Sequence, residues 1–247
     1  MTALTPLDDQ AGASRGARYF GGVLLAMTGV LMLGLVLHHP TVEGRLSVQA
    51  LSAAIQRVAG VDRFVHGMLM AIIGLQALGF YLFSARLGFR KPAVAAGFMA
   101  FAAGAVLMAV PTTLDGFVTP DFAAACLKLP GGCGAADVGA LRLIGAMVQD
   151  FTKVALILMS TAAAAWGVAL LPRPGWLNRL AGLAGLACGV APAWVLLTAS
   201  INLRPDNLAL IIGAQVVWSL VASAVMLAGD KAAWHDRSRP KSRARVA

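Results

Sequence analysis

The sequence predicts an all-α, polytopic membrane protein: a bundle of about six transmembrane helices with both termini on the cytoplasmic side. Three observations carry that reading. Hydrophobic residues make up 59% of the chain and charged residues only 13%, about half the charge of a soluble domain. The deficit is gathered into long uninterrupted runs, which is how a membrane protein departs from a soluble one. Lys and Arg, finally, are distributed unevenly between alternate connections.

The elements follow in order. A segment 1–18 carrying Arg15 and Arg18 precedes the first span, Tyr19–Leu37. That run is longer than a signal-peptide core and ends Leu-His-His-Pro without a small-x-small cleavage site, so it is expected to be retained. In the segment 42–60, Val48, Leu51, Ile55 and Val58 share one helical face, which predicts an amphipathic helix along the outer interface. Further spans are expected at Phe64–Phe83, Ala93–Val110, Ala146–Leu171, Leu180–Thr198 and Leu208–Leu227, each near the 20 residues that a hydrocarbon core requires. Helices are the physical solution, since lipid offers no partner for a free backbone amide. A single transmembrane domain, 19–228, thus carries an outer loop at 111–145 and is followed by a basic cytoplasmic tail, 229–247.

Orientation follows from the loops. With the N-terminus inside, the inner segments hold Arg15, Arg18, Arg86, Arg90, Lys91, Arg173, Arg179 and the six cations of the tail. The outer side holds Arg45, Arg57, Arg63, Lys128, Arg142, Lys153 and Arg204. This excess on the inner side predicts N-in/C-in in a cell inner (plasma) membrane. It also accounts for the formal net charge of +9 without nucleic acid, for which no basic stripe with interleaved aromatics is present. Cys126 and Cys133 fall in the outer connection, where an oxidising compartment favours a disulfide. Two free thiols or half a zinc site are the alternatives, though zinc lacks further ligands nearby. Cys188 reads as a packing residue of the fifth span.

Small-residue rows, Ala181-Gly185-Gly189 in the fifth span and the Ala/Gly-rich third, permit close helix contact. Bundle packing explains them; membrane-protein partners are the other use. The bilayer is the one partner that composition itself implies.

Polar groups collect at the outer ends of the spans. His38 and His39 close the first, Asp62 and His66 open the second, and Asp115 follows the third. Gln149, Asp150 and Lys153 sit in the outer turns of the fourth, and Asn202, Arg204, Asp206 and Asn207 fill the last outer loop. Ionisable groups at membrane depth point to function, less strongly near the interface. Placed in the first turn of its helix, His66 is held neutral by the dipole and is therefore ligand-competent, with Asp62 one turn earlier to orient it. His38 or His39 with His66 is a candidate axial pair for haem b. Alternatively His38, His39, His66, Asp62 and Asp115 form a ligand pool for a transition metal. Asp115, Asp150 and Lys153 are the candidates for proton transfer or catalysis. The structural readings are an N-cap role for Asp62, interfacial helix-end roles for His38 and His39, and a turn at Asp115. An Asp150–Lys153 bridge, a first-turn position for Asp121 behind an N-cap at Thr119 and Pro120 at N1, and a helix cross-link through Gln76 complete them. His235, in the tail, is on the wrong side of the membrane for this group.

Three functions compete. One is an outward-facing His/Asp pocket holding haem or a metal ion for redox or membrane-enzyme chemistry. Another is a small-solute carrier or channel, for which the inner halves offer few polar groups. The third is a non-catalytic accessory subunit of a membrane complex.

Overall fold

A computed structural model describes residues 15–40, 47–199, 203 and 205–228, the side chains of residues 205 and 206 excepted. Among these residues the chain is helical throughout, without a strand. The helices are α1 (Arg15–Leu37), α2 (Val48–Leu87), α3 (Pro92–Thr113), α4 (Thr119–Leu127), α5 (Ala135–Leu170), α6 (Trp176–Thr198) and α7 (Pro205–Ala228). A single π-turn, Leu114–Val118, joins α3 to α4. Six helical runs are long and apolar enough to cross a membrane, with α3, the π-turn and α4 counting as one. Arg45, Asn202, Arg204 and the tail with His235 lie outside the described residues.

The order of packing is a ring. α1 touches α2 and α7, α2 touches α3, α3 touches α5, α5 touches α6, and α6 touches α7. Small residues set the closest approaches. A Cβ on Gly189 would collide with the backbone of Ser160 and Ala164, and one on Gly167 with that of Gly182. Gly97 and Gly104 of α3 lie likewise against Trp166 and Ala155 of α5. Both small-residue rows read from the sequence are therefore used within the chain, against α5, where dispersion and not hydrophobicity holds helices together in lipid.

α2 corrects the first expectation. The amphipathic segment and the second span are one helix of 40 residues, about 60 Å long. Ser47 caps its start through the Ala50 amide, and Gly88, at a φ of 92°, ends it. A lone Gly60 costs a helix only about 1 kcal/mol, and Asp62 turns into the bundle where no loop is needed. The face of Leu51, Ile55 and Val58, read as lipid-facing, lines an internal cavity instead.

The region 111–145 is also more helical than a loop. Pro111 lacks the amide that would bond Leu107 and its ring crowds that carbonyl. The chain changes register through the π-turn three residues later and continues as α4. The Thr112 and Thr113 hydroxyls donate to the carbonyls of Met108 and Ala109 at 2.6 and 2.7 Å, occupying acceptors beside the irregularity. The true connection is short and passes Gly131 and Gly132, whose φ angles of 90° and 79° favour glycine. It is closed by Cys126 and Cys133 at disulfide distance, Cα atoms 5.1 Å apart. Asp137 then caps α5 by accepting from the Gly134 amide at 2.8 Å.

The two ends of the bundle differ. At the end where α2 meets α3, Arg86 donates to the carbonyls of Val225 and Met226, and Arg173 to that of Leu87. Each guanidinium thereby satisfies carbonyls that a helix C-terminus leaves open. Lys91 lies beside Arg173, whose charge holds it below the ordinary lysine range, with a smaller contribution from burial. Just inside this end an aromatic layer fills the ring. Phe80 stacks on Trp166 at 4.6 Å between centroids, Trp166 on Trp218 at 6.3 Å, and Phe83 and Phe101 meet them edge-on or tilted. Trp166 is wholly buried and donates to Ser84 Oγ at 3.0 Å. The opposite, histidine end is hollow.

Candidate functional site

A cavity of about 1020 Å³ occupies the histidine half of the ring. Its walls combine apolar side chains, Met32, Val36, Leu69, Ile73, Met108 and Met159 among them, with polar groups in nearly equal share. His39 arrives from the end of α1, where Pro40 prevents a further turn and the His39 amide closes onto the Val36 carbonyl at 3.3 Å. Asp62 and His66 come from the interior of α2, one turn apart. Asp115 comes from the π-turn, which swings its carboxylate toward α2.

These four side chains converge. His39 Nε2 and His66 Nε2 are 3.3 Å apart, with the rings edge to face at 84° and centroids 4.9 Å apart. Asp115 Oδ2 lies 3.4 Å from His66 Nε2 and 3.9 Å from His39 Nε2. Asp62 Oδ1 is 3.2 Å from His66 Nδ1 and 3.6 Å from His39 Nε2. Exposure is graded across the group. The side chain of His66 is 6% accessible, Asp62 11%, His39 23% and Asp115 40%, so the cluster opens on the Asp115 side.

A backbone contact selects the tautomer of a neutral His66. Its Nδ1–H donates to the Asp62 carbonyl at 2.9 Å, an acceptor that admits only a donor. In the neutral ring that leaves Nε2 unprotonated and directed at His39 and Asp115. The expected role of Asp62 as an N-cap is thus corrected: it lies 14 residues inside α2, buried, beside the histidine it faces. The expected first-turn position of His66 is corrected with it. Ring orientation by Asp62, and not a helix dipole, prepares this imidazole.

The remaining candidates disperse. His38 is exposed and its Nδ1 donates back to the Gly34 carbonyl at 2.8 Å, away from the cluster. Asp150 is exposed, Lys153 is half-buried, and neither lines the cavity. No ion pair joins them among the described residues, so the bridge expected from their spacing is absent. Asp121 pairs with Arg63 of α2, and Gln56 donates to the Pro120 carbonyl. Those contacts fasten α4 to the extension of α2 and brace the cavity mouth. Gln76 cross-links helices as expected, donating to Ser219 Oγ of α7 at 2.9 Å.

Several contributors were not assigned to the site from the sequence. Gly116 lies flat beneath His66. Gln149 clamps the backbone of Leu203, whose amide donates to its Oε1 at 2.8 Å while its Nε2 donates to the Leu203 carbonyl at 3.4 Å. Thr112, Thr119 and Gln215 add polar groups to the cavity wall. All three had a usable signal, a polar residue beside a Pro or within an apolar span.

Comparison with known protein families, curated proteins and solved structures finds no match to this chain. Its function is therefore argued from the site.

Proposed function

We propose that this protein is a multi-pass membrane protein holding one divalent transition-metal ion between His39, His66 and Asp115, where it serves metal-assisted chemistry at the outer membrane surface. One observation carries the reading. His39 Nε2, His66 Nε2 and Asp115 Oδ2 form a triangle with edges of 3.3, 3.4 and 3.9 Å. The circle through its corners has a radius of about 2.1 Å, the length of a bond from a first-row ion to imidazole nitrogen or carboxylate oxygen. An ion at its centre, or slightly to one side, reaches all three atoms without moving any of them.

Charge supports the same assignment. Two carboxylates share this partly buried site with two imidazoles, and no Lys or Arg lines the cavity among the described residues. Uncompensated charge is costly there, and a divalent cation balances it. Two histidines and one carboxylate form the facial set used by non-haem iron, and zinc accepts similar ligands. Asp62 is the group that orients His66, a role metal-bound histidines commonly require. The open Asp115 side leaves coordination positions for water or substrate. A metal there polarises a bound oxygen or lowers the pKa of a bound water.

The haem alternative fits less well. Two axial imidazoles must place their nitrogens on opposite faces of a porphyrin, about 4 Å apart with a ring between them. Edge-to-face rings at 3.3 Å leave no slot for that plane. The carrier reading is opposed by the aromatic layer, which closes the far half of the ring. The proposed outward direction of the mouth rests on the Lys and Arg distribution and on the cysteine pair.

The test is the metal content of the purified protein with its spectrum after cobalt substitution. One equivalent of metal is expected, with visible cobalt bands that His66→Ala and Asp115→Asn abolish. A folded, metal-free protein that takes up no zinc, iron, manganese or cobalt at micromolar concentration would overturn the assignment. Such a protein would favour a proton shared across the 3.3 Å between His39 and His66.

A further inference from the structure

We infer that the cavity below the cluster binds an amphiphile, a molecule with a metal-ligating polar head and an apolar chain bearing an oxygen acceptor near Gln215. The inference rests on the proposed metal centre for the head group and on separate observations for the chain.

The first of these is size. A metal ion with its waters occupies a small part of about 1020 Å³, a volume at the upper end of the range for sites that bind organic ligands. The second is composition. Aliphatic side chains and three methionines, Met32, Met108 and Met159, make up the apolar part of the wall, beside polar groups such as Thr112, Gln149 and Thr152. Methionine is unbranched and polarisable and adapts to a chain of variable shape. Such a chamber suits a molecule with both a polar and an apolar part.

The third is one polar side chain of that wall. Gln215 of α7 is 8% exposed, lines the cavity, and its Nε2 has no hydrogen-bond partner among the described residues. An unpaired buried amide costs about 1–3 kcal/mol, so its presence calls for a partner. The amide torsion of glutamine is soft, and rotation about it turns the N–H edge to the chamber. Depth follows from helix rise. Gln76 lies ten residues beyond His66 on α2 and contacts Ser219, one turn deeper than Gln215 on α7. Gln215 is therefore about 9 Å below the cluster. A head at the metal and an oxygen at Gln215 are separated by a medium-length acyl chain.

Hydroxamates supply the probe, because their head chelates transition metals whatever chain follows. Acetohydroxamate and octanohydroxamate are titrated into the metal-loaded protein, wild type and Met159→Trp, in one detergent. Comparison within the same micelle cancels partitioning, and retained metal shows that the variant is folded. The longer probe should bind wild type at least about tenfold tighter than the shorter one, and Met159→Trp should erase that advantage. An oxo-acyl hydroxamate with its ketone about 9 Å from the head should lose about tenfold on Gln215→Leu, while octanohydroxamate should not.

Equal chain-length ratios in wild type and Met159→Trp, with metal present, would overturn the amphiphile and leave the metal centre standing. Equal loss for both chains on Gln215→Leu would remove the acceptor. A protein that binds no metal would overturn the proposed function and this inference together.

Discussion

Gly116 and His66 are in direct contact: a Cβ placed on Gly116 would overlap the Cβ and Cγ of His66 and approach its Nδ1 to 2.9 Å. The π-turn can bring Asp115 to the histidines only because the next residue has no side chain. Gly116→Ala should displace the His66 ring, lowering metal affinity by tenfold or more, and should destabilise the fold by about 1–3 kcal/mol through overpacking. Isothermal titration with zinc and a thermal melt in detergent read the two effects. Unchanged affinity would mean that the ring position does not matter to the ion.

Asp62 tests orientation apart from ligation. Asp62→Asn keeps the backbone carbonyl that accepts from His66 Nδ1 and removes the carboxylate 3.2 Å away. Metal affinity should fall about 10–100-fold, the usual effect of losing a group behind a metal-bound imidazole. The cobalt spectrum should keep its shape, because the ligands are unchanged. A changed spectrum would make Asp62 a ligand in its own right.

Gln149 should be a stability residue. Gln149→Leu leaves the Leu203 amide and carbonyl without their side-chain partners, which costs about 1–3 kcal/mol. A lower melting midpoint is expected, with one equivalent of metal still bound at saturation. Loss of metal at saturation would assign Gln149 to the site instead.

The cysteines allow a chemical count. Of the three in the chain, Cys126 and Cys133 are paired and Cys188 is free. Alkylation of denatured, unreduced protein should add one label, and reduction should expose two more. Three labels without reduction would contradict the bond. Cys133→Ser should cost about 2–3 kcal/mol in the chain-entropy view, and it also alters the contact of Cys133 Sγ with Ser52 Oγ on α2, 3.5 Å away.

Much of this arrangement was legible in the chain. Apolar runs located the six long helices, and the gathering of His39, Asp62, His66 and Asp115 at one end of them followed from which ends of the runs the chain joins. Equivalence of His38 and His39 was not resolved, since adjacent residues at a helix end diverge by a rotation that Pro40 determines locally. The continuity of α2 was hidden by Gly60, Asp62 and Arg63, which together imitate a connection. Whether such a stretch stays helical depends on partners far away in sequence, here Pro120 and Asp121 of α4. Gly116 carried no readable signal, because its requirement is a contact with α2 and not a turn of its own.

The aromatic layer of Phe80, Phe83, Phe101, Trp166 and Trp218 begins about 20 Å from His66 along α2, and it makes the chamber a cul-de-sac. On the proposed function, whatever the metal centre alters is returned to the half of the membrane it came from. On that function reactant and product share one passage, and no ion gradient across the bilayer should change the position of equilibrium.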